Sequence, residues 1–401
     1  MPASSGPVQL LLFPGLGLPV ILREAPDVLA GLRRAVPSWT PHIRTAPSAR
    51  LPSLCSVSRE ADGFTLRSIF LEEPITGLAA AGAVCGIVAD LAQGYFEERS
   101  GFSGLHCGAF RFGGRLIAVT GPAHAGKSTL IARLSAENDM QILCDDVLPI
   151  TADGMAHGLG IAPRLRLPLP EGTHEQFSGH VARHIALSDG HHAFIAPPTL
   201  AAHGTSQPLE VLLVLSRENG AAASLQRLGA AECLHHVLRQ SIYAAASEAA
   251  IERANLLSER LACFKLTYWD IEDAVSLIRA TLSHASLPEE GQPGCKPPAG
   301  HSATTAPLPQ ADLRLGWKRQ ENVTLRRMAG GLVLWHGEHG TAFHLNPTAS
   351  AIWTLLAEVN SGEEIIAAFA EAFPDQPAER IRIDLGQLFA QMAEEDLIAV
   401  T

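Results

Sequence analysis

The chain has 401 residues, 47% of them hydrophobic and 18% charged, with 30 basic against 41 acidic side chains and a formal net charge of -11. That apolar share excludes a fully disordered chain, and the acidic balance argues against sequence-independent nucleic-acid binding, which needs a basic face. No run of about 18 uninterrupted apolar residues is present, so no membrane-spanning helix is expected. The length suggests two or three domains.

In chain order, Val8–Phe13 and Leu18–Arg23 read as strands. Ala25–Ala35 and Ile75–Phe96 read as helices. Leu105–Phe112 and Arg115–Thr120 form strands around the turn Gly113-Gly114. Lys127–Ala136 reads as a helix, Met140–Cys144 as a strand and Val211–Ser216 as a buried strand. Glu171–Pro198 has no clear period and reads as a loop. Ala231–Arg239, Glu248–Ala262 and Ile271–Leu282 are expected helices, with a short strand at Lys265–Trp269. Strands mixed with helices imply an α/β layer architecture.

Ser283–Leu313 is rich in Pro, Gly and small polar residues and has no hydrophobic period, so it reads as a linker. It separates residues 1–282 from residues 314–401, and both parts are acidic. In the second part, Val323–Arg327, Leu332–His336 and Thr341–Leu345 read as strands punctuated by Gly330-Gly331 and Gly337–Gly340. Asn346-Pro347-Thr348 carries the signature of a helix start, followed by helices at Ala349–Val359, Glu363–Phe373 and Pro377–Glu395. The sum is a small winged-helix-like α+β domain. The seven cysteines show no Cys-x-x-Cys spacing, which fits free thiols in a reducing cytosol. The N-terminus lacks a basic region and Pro14 interrupts its apolar run, so no signal peptide is expected and the protein is expected to be cytoplasmic.

The chemistry concentrates at Gly121-Pro-Ala-His-Ala-Gly126-Lys127-Ser128, which fits G-x-x-x-x-G-K-[ST] between a strand and a helix. Glycines there let backbone N–H groups converge on phosphates, and the helix start adds positive potential. Gly121, His124, Ala125, Gly126, Lys127, Ser128 and Thr129 are the expected nucleotide contacts, with ATP as ligand. Lys127 would reach the β- and γ-phosphates and Ser128 would hold Mg²⁺. Asp145-Asp146 follows an apolar strand, where carboxylates face the crevice of an open α/β sheet. Neighbouring strand residues point to opposite sides, so one Asp could serve the metal and the other the acceptor. With Gly113-Gly114 as a two-residue turn, Phe112 pairs with Arg115, Gly108 with Val119, and His106 with Gly121. His180 with His184, and His191 with His192, lack the Glu of a helical metal frame.

Leu105-His106, the glycine loop, Asp145-Asp146 and His157-Gly158-Leu159-Gly160-Ile161 resemble, in that order, the motifs of the HPr serine kinase family and its relatives. The resemblance is strong over residues 100–165. It implies a P-loop kinase core of the phosphoenolpyruvate-carboxykinase type, ATP-dependent phosphorylation of a serine hydroxyl, and room for a homo-oligomer. By position, Asp145 becomes the general base helped by His106, and Asp146 a carboxylate on the Mg²⁺ side. Met155 and His157 stand where that family carries an acid and an arginine. Arg239 is taken as the charge-stabilising arginine, with Arg253 as its rival, while Arg164 and Arg166 could meet phosphate or substrate.

Phe343-His-Leu-Asn-Pro-Thr-Ala-Ser-Ala-Ile-Trp353, then Gly362-Glu363 and Leu397-Ile398, resemble the PqqD family across nearly all of 315–400. That resemblance implies binding of the leader of a ribosomally made precursor peptide, as a strand added to the small sheet and packed on the third helix. Together the two resemblances read as a peptide serine kinase with its own leader reader. The alternatives are a kinase of a small metabolite or sugar with a regulatory C-terminal domain, and a nucleotide-gated peptide carrier. No nucleic acid or membrane partner is expected.

Overall fold

The computed structural model describes residues 8–47, 51–242, 247–283, 287, 309–328, 330–336, 342–358, 361–374 and 376–401. Most of the expected linker, and the turn Gly337–Gly340, lie outside the described residues. The protein is mixed α/β, with several sheets and ten helices among the described residues. The described residues of Met1–Arg227, Gln240–Tyr243 and Phe264–Lys296 form one compact unit. Those of Leu228–Arg239, Ala244–Cys263 and Pro297–Thr401 form a second. The helices Ala230–Arg239 and Glu248–Arg260 precede the linker in sequence and nevertheless cluster with the C-terminal residues.

The first unit contains a six-stranded sheet in the order His42–Ala46, Val8–Leu12, Val20–Arg23, Cys55–Glu60, Gly63–Ser68, Ile75–Leu78. The helices Pro26–Ala35 and Ala80–Glu97 pack on each other and share its apolar core. Trp39 is fully buried there, with its indole N–H donated to the Pro14 carbonyl at 3.1 Å. Ile75–Leu78, expected as the start of a helix, is a strand. Pro74 precedes it and Gly77 sits at φ +70, so the helix starts only at Ala80.

A second sheet holds the central strands. Ser206–Arg217 is twelve residues long and serves two partners. Its first part pairs antiparallel with Met155–His157, and its later part pairs parallel with Arg115–Thr120. The expected hairpin register holds from Phe112 opposite Arg115 to Gly108 opposite Val119. It does not extend to His106. The chain breaks at Cys107, and Phe102–His106 leaves for a different partner, with His106 opposite Val147. The same break occurs in the facing chain. Gln141–Cys144 pairs with Gly108–Phe112, and Val147–Thr151 pairs with Phe102–His106. A single antiparallel ribbon is thus interrupted at Asp145-Asp146, where Cys107 N–H still bonds to the Asp146 carbonyl at 3.1 Å.

Glu171–Pro198 is not a loop. It contains the helix Glu175–His184, which buries Phe177, His180 and Val181, and the paired strands Ile185–Ser188 and His192–Ile195. The i, i+3, i+4 spacing of those three residues is the helical signal, masked in sequence by histidines counted as polar.

In the second unit, Val323–Met328, Gly331–His336 and Ala342–Leu345 form a three-stranded antiparallel sheet. Asn346 caps the helix Pro347–Leu355 through its Oδ1 and the Ala349 N–H at 2.8 Å. Ser361 and Glu364 form a capping box at the helix Gly362–Ala372. The third helix is Ala378–Glu394. Leu332 and Leu334 join the three-helix core, while Val333 and Trp335 are buried on the other face. On that face Arg326 pairs with Glu252 at 2.6 Å, and the His235 and His344 rings meet at 6.0 Å. The earlier helices therefore cover a sheet face that would otherwise be wet.

Gly108 lets the helix Lys127–Leu134 approach the ribbon, since a Cβ there would stand 2.4 Å from Ile131 Cγ1. Both groups are buried, so neither can relax into solvent. Gly108→Val is expected to lower stability by about 2 kcal/mol, read as a lower urea midpoint with an unchanged slope. An unchanged midpoint would show that the helix does not seat on this strand.

Candidate functional site

The strand Arg115–Thr120 ends in the loop Gly121–Gly126, and the helix Lys127–Leu134 begins at once. Gly126 caps the helix at φ +93, a left-handed conformation that glycine adopts without strain. A Cβ there would also lie 2.6 Å from the Tyr268 hydroxyl oxygen. His124 takes φ +64, unusual for a residue with a side chain. Lys127 Nζ folds over the loop and donates to the Gly121 carbonyl at 2.9 Å. Ser128 and Thr129 follow in the first helical turn, half-buried. The local form is a concave run of backbone at a helix N-terminus with an ammonium above it, an arrangement suited to anions.

Tyr268 was not singled out from sequence. It ends the strand Ala262–Tyr268, is buried, and donates its hydroxyl to the Ala125 carbonyl at 2.7 Å. Burial pushes its pKa up to about 12, so it stays a donor. It fastens the glycine loop from the far side. Its only sequence signal was a polar tip at the end of an apolar strand.

Asp145 and Asp146 occupy the interruption in the ribbon, and their surroundings differ sharply. Asp145 is buried and accepts the Arg164 N–H at 3.0 Å through Oδ2. Its Oδ1 is buried and has no hydrogen-bond partner. Burial pushes its pKa up to about 7, against the lowering pull of the Arg164 N–H and the nearby Ser128 hydroxyl. Asp146 is exposed and accepts from His106 Nε2 at 3.0 Å. That bond holds its carboxyl below the usual range, with Arg164 and Lys127 adding to the effect. The fold thus brings together Lys127, Ser128, Asp145, Asp146 and His106. His106 addresses Asp146, whereas the family resemblance set it beside Asp145. It reaches the site through the Phe102–His106 strand and not by pairing with Gly121.

Arg239 ends the helix Ala230–Arg239 and Arg253 lies in Glu248–Arg260, both in the second unit. Arg164 and Arg166 flank Leu165 on a short strand beside the carboxylates. His180 is bonded to the Ser135 hydroxyl at 3.0 Å, and its ring lies 4.3 Å from that of His184, tilted by 40°. Among the described residues no cluster of three or more His, Cys, Asp or Glu could hold a metal by itself. No helix of the described residues is long and apolar enough to cross a membrane.

The second unit carries its own recess. A groove of about 520 Å³ runs between the three C-terminal helices, lined by Ile365, Phe369, Phe373, Ile381 and Leu388, with Arg380 and Gln391 among its polar residues. Asn346 and Thr348, which follow the outer strand Ala342–Leu345 in sequence, also line it. Residues 331–398 match the family of coenzyme PQQ synthesis protein D (PqqD). The second unit therefore contains a PqqD-like domain. No curated protein matches the chain.

The buried carboxyl has a stability consequence. An unfolded Asp ionises near 3.8, whereas folded Asp145 keeps its proton to about 7. Between those values the folded state binds the extra proton, so stability falls as pH rises and the full penalty is present above 7. Asp145→Asn is expected to be more stable than the native protein at pH 8, by on the order of 2 kcal/mol. That gain should vanish near pH 4. Urea unfolding at the two pH values checks this, and an equal difference at both would contradict it.

Proposed function

We propose that the protein is an ATP-dependent serine kinase of a ribosomally made precursor peptide, whose leader is held by the PqqD-like domain. The observation that carries the reading is the convergence of a G-x-x-x-x-G-K-S loop, a buried carboxyl beside its serine, and an exposed Asp–His pair. Phosphoryl transfer needs positioning, charge neutralisation and a proton acceptor, and these groups match those needs. The first unit would then be a P-loop kinase core of the kind found in HPr serine kinases and phosphoenolpyruvate carboxykinases.

The loop N–H groups and Lys127 bind the β- and γ-phosphates of ATP. Ser128 and Asp145 suit Mg²⁺, a hard cation that takes one or two carboxylates and completes its shell with phosphate and water oxygens. The unpartnered, buried Asp145 Oδ1 fits such a ligand. When bound, Mg²⁺ neutralises charge on the phosphate oxygens. Asp146, oriented by His106, accepts the proton of the serine hydroxyl. The serine oxygen forms the new bond to the γ-phosphorus, the bond to the β,γ-bridging oxygen breaks, and ADP leaves. This assignment exchanges the two aspartate roles implied by family resemblance, because His106 bonds to Asp146. Arg164, whose N–H bonds Asp145 and whose charge acts on Asp146, would meet transferred phosphate or substrate.

The PqqD-like match and the apolar groove beside an outer strand support peptide capture. A leader peptide can add to a strand edge by backbone hydrogen bonds and place apolar side chains against the third helix. Holding the leader raises the local concentration of the acceptor segment to about millimolar for a short flexible connection.

The test is transfer of labelled γ-phosphate to a precursor peptide encoded beside the gene. Lys127→Ala and Asp146→Asn should each lower the rate by about 10²-fold or more. Full activity in Asp146→Asn would reject the base assignment. Tyr268→Phe should raise KM for ATP about fivefold, the loss of one neutral hydrogen bond to the loop. An unchanged KM would free Tyr268 from that role.

A further inference from the structure

A cavity of about 110 Å³ opens beside the carboxylate pair, within the first unit. Cys85, Val88 and Ala89 of the helix Ala80–Glu97 line one side. Leu159, Ile161 and Phe194 line the other. Asp145, Asp146 and Arg164 supply its polar groups. Leu159 and Ile161 come from the segment His157-Gly158-Leu159-Gly160-Ile161. Gly160 lies at φ +69, and a Cβ there would stand 2.4 Å from the Ser38 hydroxyl oxygen. The glycine thus turns the chain tightly and leaves its two aliphatic neighbours at the cavity wall.

We infer that this cavity is an acceptor subsite that takes the aliphatic side chain next to the phosphorylated serine. The inference rests on the peptide-kinase reading. Its size sets the occupant. A 150 Å³ apolar cavity holds benzene, so the present cavity suits a group of about four carbons, such as the side chain of leucine or valine. Its lining gives an apolar body with a polar rim, the usual build of a specificity pocket. The nine-tenths buried Asp145 turns an unpartnered oxygen to one wall of the cavity, beside the exposed Asp146 carboxylate held by His106. A serine whose neighbour is seated there would hold its hydroxyl at the carboxylate pair. An aromatic neighbour would exceed the volume.

The experiment uses the full-length protein and three synthetic peptides, Ser-Gly, Ser-Leu and Ser-Trp within one glycine–alanine frame. Binding is measured by titration calorimetry, and transfer by labelled γ-phosphate. The Ser-Leu peptide should bind about tenfold tighter than Ser-Gly, with Ser-Trp no better than Ser-Gly. Ala89→Leu, at an exposed helical position that folds easily, should fill the cavity and erase the preference. Cys85→Leu provides a second filling from the same helix. Equal binding of Ser-Leu and Ser-Gly, or a preference that survives both substitutions, would overturn the subsite. If the preference appears as expected but no peptide gains phosphate, the kinase reading falls and the cavity stands as a peptide-binding site.

Discussion

The interruption of one antiparallel ribbon at Asp145-Asp146 is the constraint on which the first unit turns. Strands 102–112 and 141–151 face each other along most of their length, yet both change sheet partners at the same level. A ladder that breaks leaves backbone and side chains to find other partners. Asp145 finds the Arg164 N–H and lies buried, while Asp146 finds His106 and stays exposed. Two neighbouring carboxylates thereby acquire opposite properties from one feature of topology. One is kept neutral into the physiological range and the other ionised well below it. Such pairs divide labour readily, because environment rather than residue type sets the role.

The surrounding structure serves that break. Gly108 brings the helix Lys127–Leu134 close to the ribbon, and with it Lys127 and Ser128. Tyr268 holds the loop from behind. Burying an ionisable carboxyl costs stability, and the large apolar core under the six-stranded sheet offsets it. A site that destabilises its own fold at neutral pH is a familiar mark of function.

Much of this was legible in sequence. The glycine loop, the strand before it and the Asp pair stood out because their chemistry requires contiguous residues. The three helices and small sheet of the PqqD-like domain were legible through periodicity and the Asn346-Pro347 cap. Contacts between segments distant in sequence were less accessible. His106 was expected beside Gly121, because hairpin counting assumes an unbroken strand, and Cys107 breaks it. Tyr268 was missed because its partner is a backbone carbonyl 143 residues away. The helix Glu175–His184 was hidden by its histidines, one of which is buried with its pKa pushed down to about 4. The clustering of Ala230–Arg239 with the C-terminal residues could not be read, since sequence order sets them on the other side of the linker.

The central claim is that phosphoryl transfer in the first unit serves a peptide captured by the second. It is tested most directly by mass spectrometry of a precursor peptide incubated with the full-length protein, ATP and Mg²⁺, with and without its leader. The account predicts that the intact precursor gains a phosphate on serine and that the leaderless form, at the same concentration, gains little. Equal modification of both forms would separate the two units, and no modification of the intact precursor, with ATP bound, would contradict the account.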